Sequence, residues 1–375
     1  MVSHGELDNE GLSLKNNVNK LVISANFPPS NNTGALVMAK RVITEKEKVD
    51  IVQINPNSSE DDFSRIVDKY VDKRFIVEDS LTNTYESINK FRIEGLKLVE
   101  EYGRTYDEII SRSWPIDSHI LALEYKLKYP DVIWTAEFSD PLMYDVGNNK
   151  RPEAPLIRDK NYLNKLNDAI AIKRRSIKES GFDIDIIDVQ MDDNKYFLAE
   201  YLPFLFADKV RFINPNQREI MLDQFPFDIR DYVMEKSEIK RHPVLPSELY
   251  NIKEADYVVD ENYINFAYFG TYIGRRHLEF LFEAISSLSP DLRNKIKLHL
   301  FVSNIDFTKE IIGNLGVTDN IELSNTFPLL EFLNLTTKMD VLILNDLITK
   351  DIFKVNPYLP SKMADYMGSG NDIWG

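Results

Sequence analysis

A candidate anion-binding lysine lies near the carboxyl end of the chain, in the segment NPYLPSKMADYMGSG. Pro360 and Ser361 predict the start of a helix there, and they place Lys362 in its first turn. A cation at that position opposes the helix macrodipole unless an anion lies beside it. Lys362 therefore suits a diphosphate, and Asp365, one turn on and nearly on the same face, suits a ribose diol. An ion pair between Lys362 and Asp365 within the helix is the alternative.

A second basic group occurs earlier, in the segment FGTYIGRRH. Gly270 ends a predicted strand, and Arg275 and Arg276 open the next helix, where the helix dipole again disfavours cations that lack an anion. Ser303 ends the following strand, KIKLHLFVSN. Because the carboxyl ends of parallel strands meet at one edge of a sheet, these residues and Lys362 together predict a nucleotide-diphosphate pocket. A solvated pair of surface arginines is the alternative.

A small loop after the first predicted strand is a further candidate binding site. The segment FPPSNNTG precedes a helix, and Asn32, Thr33 and Gly34 can present main-chain N–H groups to a phosphate or a sugar. A plain turn capped by Asn32 or Thr33 is the alternative interpretation. The GxGxxG fingerprint of dinucleotide-binding proteins is absent from the sequence.

Two further segments place polar side chains at strand ends in the amino-terminal half. In SRSWPIDSH, His119 comes early in the helix that follows a strand. In AEFSDP, Glu137 and Asp140 leave another strand, which the next proline stops. These positions make the three side chains candidates for a site at the edge of the sheet. The alternatives are a capping or buried, hydrogen-bonded histidine and an aspartate that caps a turn.

The sequence contains no convincing metal site. Asp183 and Asp185 have the Asp-x-Asp spacing of a sugar-nucleotide Mg²⁺ or Mn²⁺ site, but they lie in a helix-like insertion away from any strand end. The HExxH, P-loop and GxSxG patterns are also absent. We therefore expect chemistry without a metal or a cofactor.

The elements that must position these residues alternate along the chain. Continuous apolar strands separated by helical patterns predict parallel sheets with helices on both faces, an α/β class. The stretch KRHPVLPSELYN, at 240–251, has two prolines and no periodicity, so it predicts the crossover between two halves. We expect a polar tail at 1–19 and two domains at 20–242 and 243–375. The predicted strands cover residues 20–26, 49–55, 108–113, 131–138, 209–214, 264–270, 295–304, 320–325 and 339–345.

The composition restricts the function further. The 375 residues carry 45 Lys and Arg against 60 Asp and Glu, and this net charge of −15 disfavours binding to nucleic acid and anionic lipid. The absence of cysteine excludes disulfides, thiolate metal sites and a cysteine nucleophile. The sequence has no apolar run long enough to span a membrane and no signal-peptide pattern. We therefore expect a soluble, cytoplasmic protein that does not bind nucleic acid.

In the order of these segments the chain resembles the GT-B glycosyltransferases of the retaining family 4 type. The amino-terminal half is similar to members that carry S-x-P-x-x-S-H followed by D-F-R-D-P, here SWPIDSH at 113–119 and EFSDP at 137–141. The carboxyl-terminal half has the family's strand, glycine and basic helix at 270–276. It also has the P-x-K-x-x-E-Y-M-x-x-G element, here PSKMADYMGSG at 360–370, which is the most specific part of the resemblance.

The resemblance implies two tandem Rossmann-like domains that face a cleft. A nucleotide-activated sugar would bind the second domain and an acceptor hydroxyl the first, and the reaction would retain the anomeric configuration without a metal. Lys362, with Arg275 or Arg276, would stabilise the leaving diphosphate. Main-chain N–H groups at Ser361 and in the Gly34 loop would add their dipoles to the same charge. Such enzymes act in the synthesis of bacterial surface polysaccharides and glycoconjugates.

On the acceptor side, the resemblance implies that the leaving phosphate itself takes the acceptor proton. His119 would then orient the transferred sugar or the acceptor, with Glu137 and Asp140 on the same side. The implied partners are the nucleotide sugar and a glycan or lipid-linked acceptor, with peripheral membrane association through that acceptor. A partner glycosyltransferase is a further implied partner.

The chain departs from the family's pattern in its carboxyl-terminal half. The shorter Asp365 stands where the ribose-binding acid is usually Glu, and Pro357 stands where many relatives have another Glu near the transferred sugar. The family continues past this motif with a strand and closing helices, so we expect the chain to be cut before them. These departures favour an alternative, a non-catalytic GT-B-like subunit of a glycosyltransferase complex. A GT-B-like sugar-nucleotide epimerase is a second alternative, although no convincing set of acid and base groups can be assigned to it.

Overall fold

The protein is described by a computed structural model that covers residues 18–56, 58–79, 83–270, 278–313, 318–346 and 348–375. The chain divides into two compact units, and it passes between them more than once. The first unit comprises residues up to 145 together with 149–212 and 221–239, and the second comprises 146–148, 213–220 and 240–375.

The first unit contains a sheet of seven strands, at β1 Lys20–Ile23, β2 Val49–Ile54, β3 Val71–Val77, β4 Glu108–Arg112, β5 Ile133–Phe138, β6 Lys209–Phe212 and β7 Ser237–Ile239. All neighbouring strands are parallel, in the order β3-β2-β1-β4-β5-β6-β7. The central strands are buried along nearly their whole length, as strands covered on both faces must be. Because β1 lies between β2 and β4, the sheet changes winding direction there, and open α/β sheets bind ligands at such a point.

Several helices of the first unit start at polar caps. The side-chain oxygens of Asn32 and Thr84 accept hydrogen bonds from the first turns of the helices they precede, and Asp61 forms a capping box with Ser64. The helices are α1 Thr33–Glu45, α2 Asp62–Asp68, α3 Tyr85–Tyr102, α4 Asp117–Lys128, α5 Lys160–Glu179, α6 Lys195–Phe206, α7 Pro215–Leu222, which begins in the second unit, and α8 Phe227–Glu235.

The second unit repeats the same architecture with five strands, at β8 Ile264–Phe269, β9 Ile296–Phe301, β10 Ile321–Ser324, β11 Val341–Ile343 and β12 Asp372–Trp374. They are parallel in the order β10-β9-β8-β11-β12, with a small apolar core on β8 and β9. The helices are α9 Glu279–Ser287, α10 Pro290–Arg293, α11 Ile305–Gly313, α12 Leu329–Thr337 and α13 Lys362–Ser369. Two doubly wound parallel sheets are therefore confirmed.

Three strands and one segment differ from the sequence prediction. We predicted no strand at β3 or β7. The strand β3, VDKRFIV, contains three successive charged residues, and β7 has only three residues. The expectation that the chain ends before the strand after the Lys362 helix is wrong, because β12 follows α13 and pairs with β11. The insertion at about 150–200, predicted to have helical character, contains α5, but its residues 181–194 between α5 and α6 form no helix or strand. None of the helices in the described ranges combines the length and apolar content needed to cross a bilayer.

Candidate active site

In the first unit, the start of α1 packs against the loop that follows β4. The Oδ1 atom of Asn32 accepts a hydrogen bond from the N–H of Ala35 at 2.9 Å, so this side chain caps the helix. A Cβ atom added to Gly34 would lie 3.3 Å from the carbonyl oxygen of Trp114, which is tighter than ordinary packing. Gly34 therefore permits the main chain at the start of α1 to approach the main chain of the loop after β4, where the sheet changes winding direction. Thr33, beside Gly34, is exposed.

His119 is completely buried, and its Nδ1 contacts a serine hydroxyl. The indole N–H of Trp134 donates to Oγ of Ser111 at 2.8 Å, and that hydroxyl lies 2.7 Å from Nδ1 of His119. In the tautomer protonated at Nε2, the Ser111 hydroxyl donates its proton to Nδ1. Burial lowers the pKa of His119 to about 3, with the charge of Arg112 acting in the same direction. The ring is thus neutral at neutral pH.

Glu137 lies in a buried ion cluster between the sheet and α1. Its Oε1 atom accepts hydrogen bonds from Nη2 of Arg41, at 3.1 Å, and from Nη1 of Arg112, and all three side chains are at most 3% exposed. Burial opposes ionisation of the carboxyl, but the two guanidinium groups outweigh it and lower the pKa of Glu137 to about 2. The carboxylate is thus enclosed and holds two arginines, and the expected place of Glu137 on the acceptor or sugar side stays a prediction.

Asp140 remains partly accessible at the end of β5. Burial raises its pKa, although Arg112 and the Ser139 hydroxyl act against this. The turn that follows Asp140 is held by the buried Glu200, whose Oε1 accepts the N–H groups of Leu142 and Met143 at 2.6 and 3.1 Å. The end of β5 is thus fixed, and the expected place of Asp140 on the acceptor or sugar side stays a prediction.

In the second unit, two strand ends carry predicted donor-binding residues. The N–H of Gly270 donates to the carbonyl of Phe301 at 3.0 Å, and an added Cβ would lie 2.8 Å from the hydroxyl of Tyr268. Ser303 follows β9 and is exposed. Arg275 and Arg276 fall within 271–277, outside the described residues.

The helix α13 begins as the sequence predicts, with Ser361 before it and Lys362 as its first residue. Both residues are partly exposed, and the Ser361 hydroxyl makes no capping hydrogen bond. Asp365 is 3% exposed, and its main-chain carbonyl accepts the hydroxyl of Tyr250 at 2.8 Å. The helix is therefore held from one side by Tyr250, and the proposed contact of Asp365 with a ribose stays a prediction.

The described residues contain no group of three or more His, Cys, Asp or Glu side chains that could hold a metal ion. Asp183 is 95% exposed and lies 3.9 Å from the ammonium of Lys178. The Asp183-x-Asp185 spacing is thus found on an open segment.

Three solved structures have a fold similar to that of this protein over nearly the whole chain. HepE from Anabaena in complex with UDP has 11% identity and a TM-score of 0.52 over 95% of this chain and 80% of its own. The catalytic domain of starch synthase IV from Arabidopsis thaliana, bound to ADP and acarbose, has 11% identity and a TM-score of 0.57 over 95% and 82%. Sucrose-phosphate synthase from Thermosynechococcus elongatus has 12% identity and a TM-score of 0.53 over 94% and 79%. The chain has the GT-B fold. No protein-family model and no curated protein matches its sequence.

Within the GT-B fold of this chain, the first unit contains a polar group that we did not predict. Asp117, the first residue of α4, is 1% exposed, and its carboxylate oxygens have no hydrogen-bond partner among the described side chains. Burial raises its pKa to about 6, although Lys195 lowers it. Near it, the rings of Trp114 and Tyr196 stack at 5.7 Å, and the guanidinium of Arg151 lies 4.9 Å from the Trp114 ring. The only signal in the sequence is the WPID turn between a strand and a helix.

Asp117 should make the stability of the protein depend on pH. Since its pKa is raised from 3.8 in the unfolded chain to about 6, the folded state binds the proton more tightly, and stability declines as the pH rises through this interval. We expect Asp117→Asn to be more stable than the parent at pH 8 by about 1–3 kcal/mol. Urea unfolding at pH 8 and pH 5.5 measures this, and the difference should shrink at the lower pH. If Asp117→Asn is less stable than the parent at pH 8, the folded protein favours the charged form of the Asp117 carboxyl, and the prediction is wrong.

Proposed function

We propose that this chain transfers a sugar from a nucleotide-diphosphate sugar to an acceptor hydroxyl, with retention and without a metal or cofactor. One observation carries the proposal: Lys362 begins a helix at the carboxyl edge of a parallel sheet in a GT-B fold. The departing diphosphate gains negative charge as the glycosidic bond breaks, and a preorganised cation stabilises that charge most in the transition state. The dipole of α13 and the main-chain N–H groups of its first turn act in the same direction.

The solved structures support the choice of donor. HepE is described in complex with UDP and in complex with UDP-glucose, and starch synthase IV in complex with ADP. We therefore assign the second unit to the nucleotide sugar, with Gly270, Ser303, Ser361 and Asp365 beside Lys362, and with Arg275 or Arg276 as further cations. The ribose contact requires Asp365, now 3% exposed, to become accessible when the donor binds.

The first unit is proposed to bind the acceptor. In the tautomer protonated at Nε2, His119 supplies a hydrogen-bond donor near the carboxyl ends of β4 and β5 to an oxygen of the transferred sugar or of the acceptor. This contact requires the buried Nε2 to become accessible when the substrate binds. Asp140 completes this side, and the main-chain N–H groups of Asn32, Thr33 and Gly34 at the first turn of α1 are proposed to bind the donor. We propose a glycan or a lipid-linked acceptor, which brings the protein to the membrane surface, and a cytoplasmic role in polysaccharide synthesis.

A second candidate is a non-catalytic partner subunit of a glycosyltransferase. The burial of Asp365 and the enclosure of Glu137 by two arginines favour it, because both carboxylates are withheld from substrate in this state. Such a subunit would stabilise its partner without binding a nucleotide, so calorimetry with UDP, GDP and ADP separates the two candidates.

Turnover with a panel of UDP-, GDP- and ADP-sugars tests the proposed function. We expect release of the nucleoside diphosphate with one donor class, and the same rate in EDTA, since Lys362 supplies the charge that a metal supplies in other enzymes. Loss of activity in EDTA that Mn²⁺ restores would contradict the metal-free mechanism. It would make Asp183 and Asp185 candidate metal ligands. Absence of both turnover and nucleotide binding across the panel would refute the transferase.

A further inference from the structure

The segment that leads into Lys362 has no regular structure of its own. Residues 352–361, here called the donor loop, run between β11 and α13 without forming a helix or a strand. A loop of this kind takes its conformation from the partners of its main-chain groups. Four of its carbonyl oxygens accept hydrogen bonds from side chains more than a hundred residues earlier in the chain. The pairs are Asn148 Nδ2 with Ile352 at 3.1 Å, Asn216 Nδ2 with Asn356 at 3.0 Å, Asn214 Nδ2 with Pro357 at 3.1 Å, and His242 Nε2 with Leu359 at 3.1 Å.

These four donors lie at the places where the chain crosses between its two compact units. Segments 146–148 and 213–220 belong to the second unit, although the residues before and after each of them belong to the first unit. The chain enters the second unit for the last time between residues 239 and 240. Each of the three segments that form the second unit therefore supplies at least one side chain that binds the donor loop. An ion pair between Lys354 and Glu219, at 3.2 Å, adds a fifth contact of the same kind.

Asn214 and Asn216 form the centre of this arrangement. The Oδ1 atom of Asn214 accepts the N–H of Gln217 at 2.8 Å and so caps α7, while its Nδ2 donates to the carbonyl of Pro357 at 3.1 Å. One amide thus joins the start of a helix to the donor loop. Asn356, the residue beside Pro357, is itself fixed, because its Nδ2 donates to Asp346 at 2.7 Å.

From this geometry we infer that Asn214 and Asn216 are positioning residues for the transfer reaction. They hold the main chain at 356 and 357, five residues before Lys362, so that its ammonium meets the donor diphosphate in one place. A displacement of about 1 Å in a charge-stabilising group costs as much as 10²-fold in rate, so a loop without its own structure needs such support. The inference rests on the proposed function, since it assigns these amides a role in the same site.

The test uses the double variant Asn214→Ser with Asn216→Ala. Serine keeps an oxygen that can cap α7, but neither side chain can reach the donor loop, so the helix is retained and the two hydrogen bonds to the loop are lost. Glu219→Ala is the matched control, because it lies on the same helix and breaks only an exposed ion pair with the same loop.

We expect amide exchange in 352–361 to become about tenfold faster in the double variant, with the rest of the second unit unchanged. We expect kcat to fall by at least about tenfold with a smaller change in KM, since a misplaced cation weakens the transition state more than donor binding. The control should match the parent in both measurements. Unchanged exchange in the loop, or faster exchange with an unchanged kcat in an active parent, would overturn the inference alone. A parent that neither turns over nor binds a nucleoside diphosphate would instead overturn the proposed function, and the inference with it.

Discussion

Replacing Lys362 by alanine is expected to lower turnover by about 10²–10³-fold, the effect of removing one preorganised group that stabilises developing charge. Lys362 is the first residue of α13, where a cation opposes the helix dipole unless an anion lies in front of it. A cation that stabilises the diphosphate more strongly as its negative charge develops is what differential stabilisation requires. The change should therefore appear mainly in kcat, with a smaller effect on the binding of the nucleotide sugar.

Two variants control for the loss of a lysine as such. Lys362→Arg keeps the charge in a different shape and should retain part of the activity, because a planar guanidinium does not replace a compact ammonium in every geometry. Lys354→Ala removes a lysine of the same loop whose side chain is 77% exposed, and it should remain near the parent rate. Initial rates with the preferred donor measure all three. A Lys362→Ala rate within about twofold of the parent would remove this residue from the mechanism.

Replacing Glu137 by alanine is expected to lower the free energy of unfolding by about 3–5 kcal/mol, because it leaves Arg41 and Arg112 buried without their counter-ion. Both guanidinium groups contact the same carboxylate oxygen of Glu137, so the alanine variant removes this partner from both of them at once. Glu137→Gln keeps the shape and a hydrogen-bond acceptor while it removes the charge, so its loss should be smaller. Glu153→Ala, at an ion pair whose glutamate is 79% exposed, should have almost no effect.

The effect of Glu137 should also depend on pH in one direction. Its pKa is about 2 in the folded protein against 4.5 in the unfolded chain, so its contribution to stability is complete above pH 4.5 and is lost as the pH falls towards 2. Urea unfolding of the parent and Glu137→Ala at pH 7 and at pH 3.5 measures the dependence. A loss below about 1 kcal/mol at pH 7 would show that the arginines are solvated and that the cluster is not a true buried ion pair.

Several features of the protein follow from short stretches of sequence. The apolar runs of β2, β4 and β5 predict buried parallel strands because such strands have no solvent-facing side. Asn32 caps α1, and the Pro–Ser–Lys order starts α13 at Lys362, because helix ends are decided by the few residues around them. The two-sheet architecture and the place of Lys362 could therefore be predicted without a structure.

Other features depend on residues that are far apart in the sequence. From the sequence, Glu137 is predicted only as a carboxylate at the end of a strand. Its contact with Arg41, 96 residues earlier, depends on the fold. The hydrogen bond at Nδ1 of His119 comes from Ser111, which is itself bound by Trp134 on the neighbouring strand. The asparagines that hold the donor loop lie about 140 residues before the carbonyls they bind. Local patterns determine where helices and strands form, but ion pairs and hydrogen bonds of this kind exist only once the sheets have assembled.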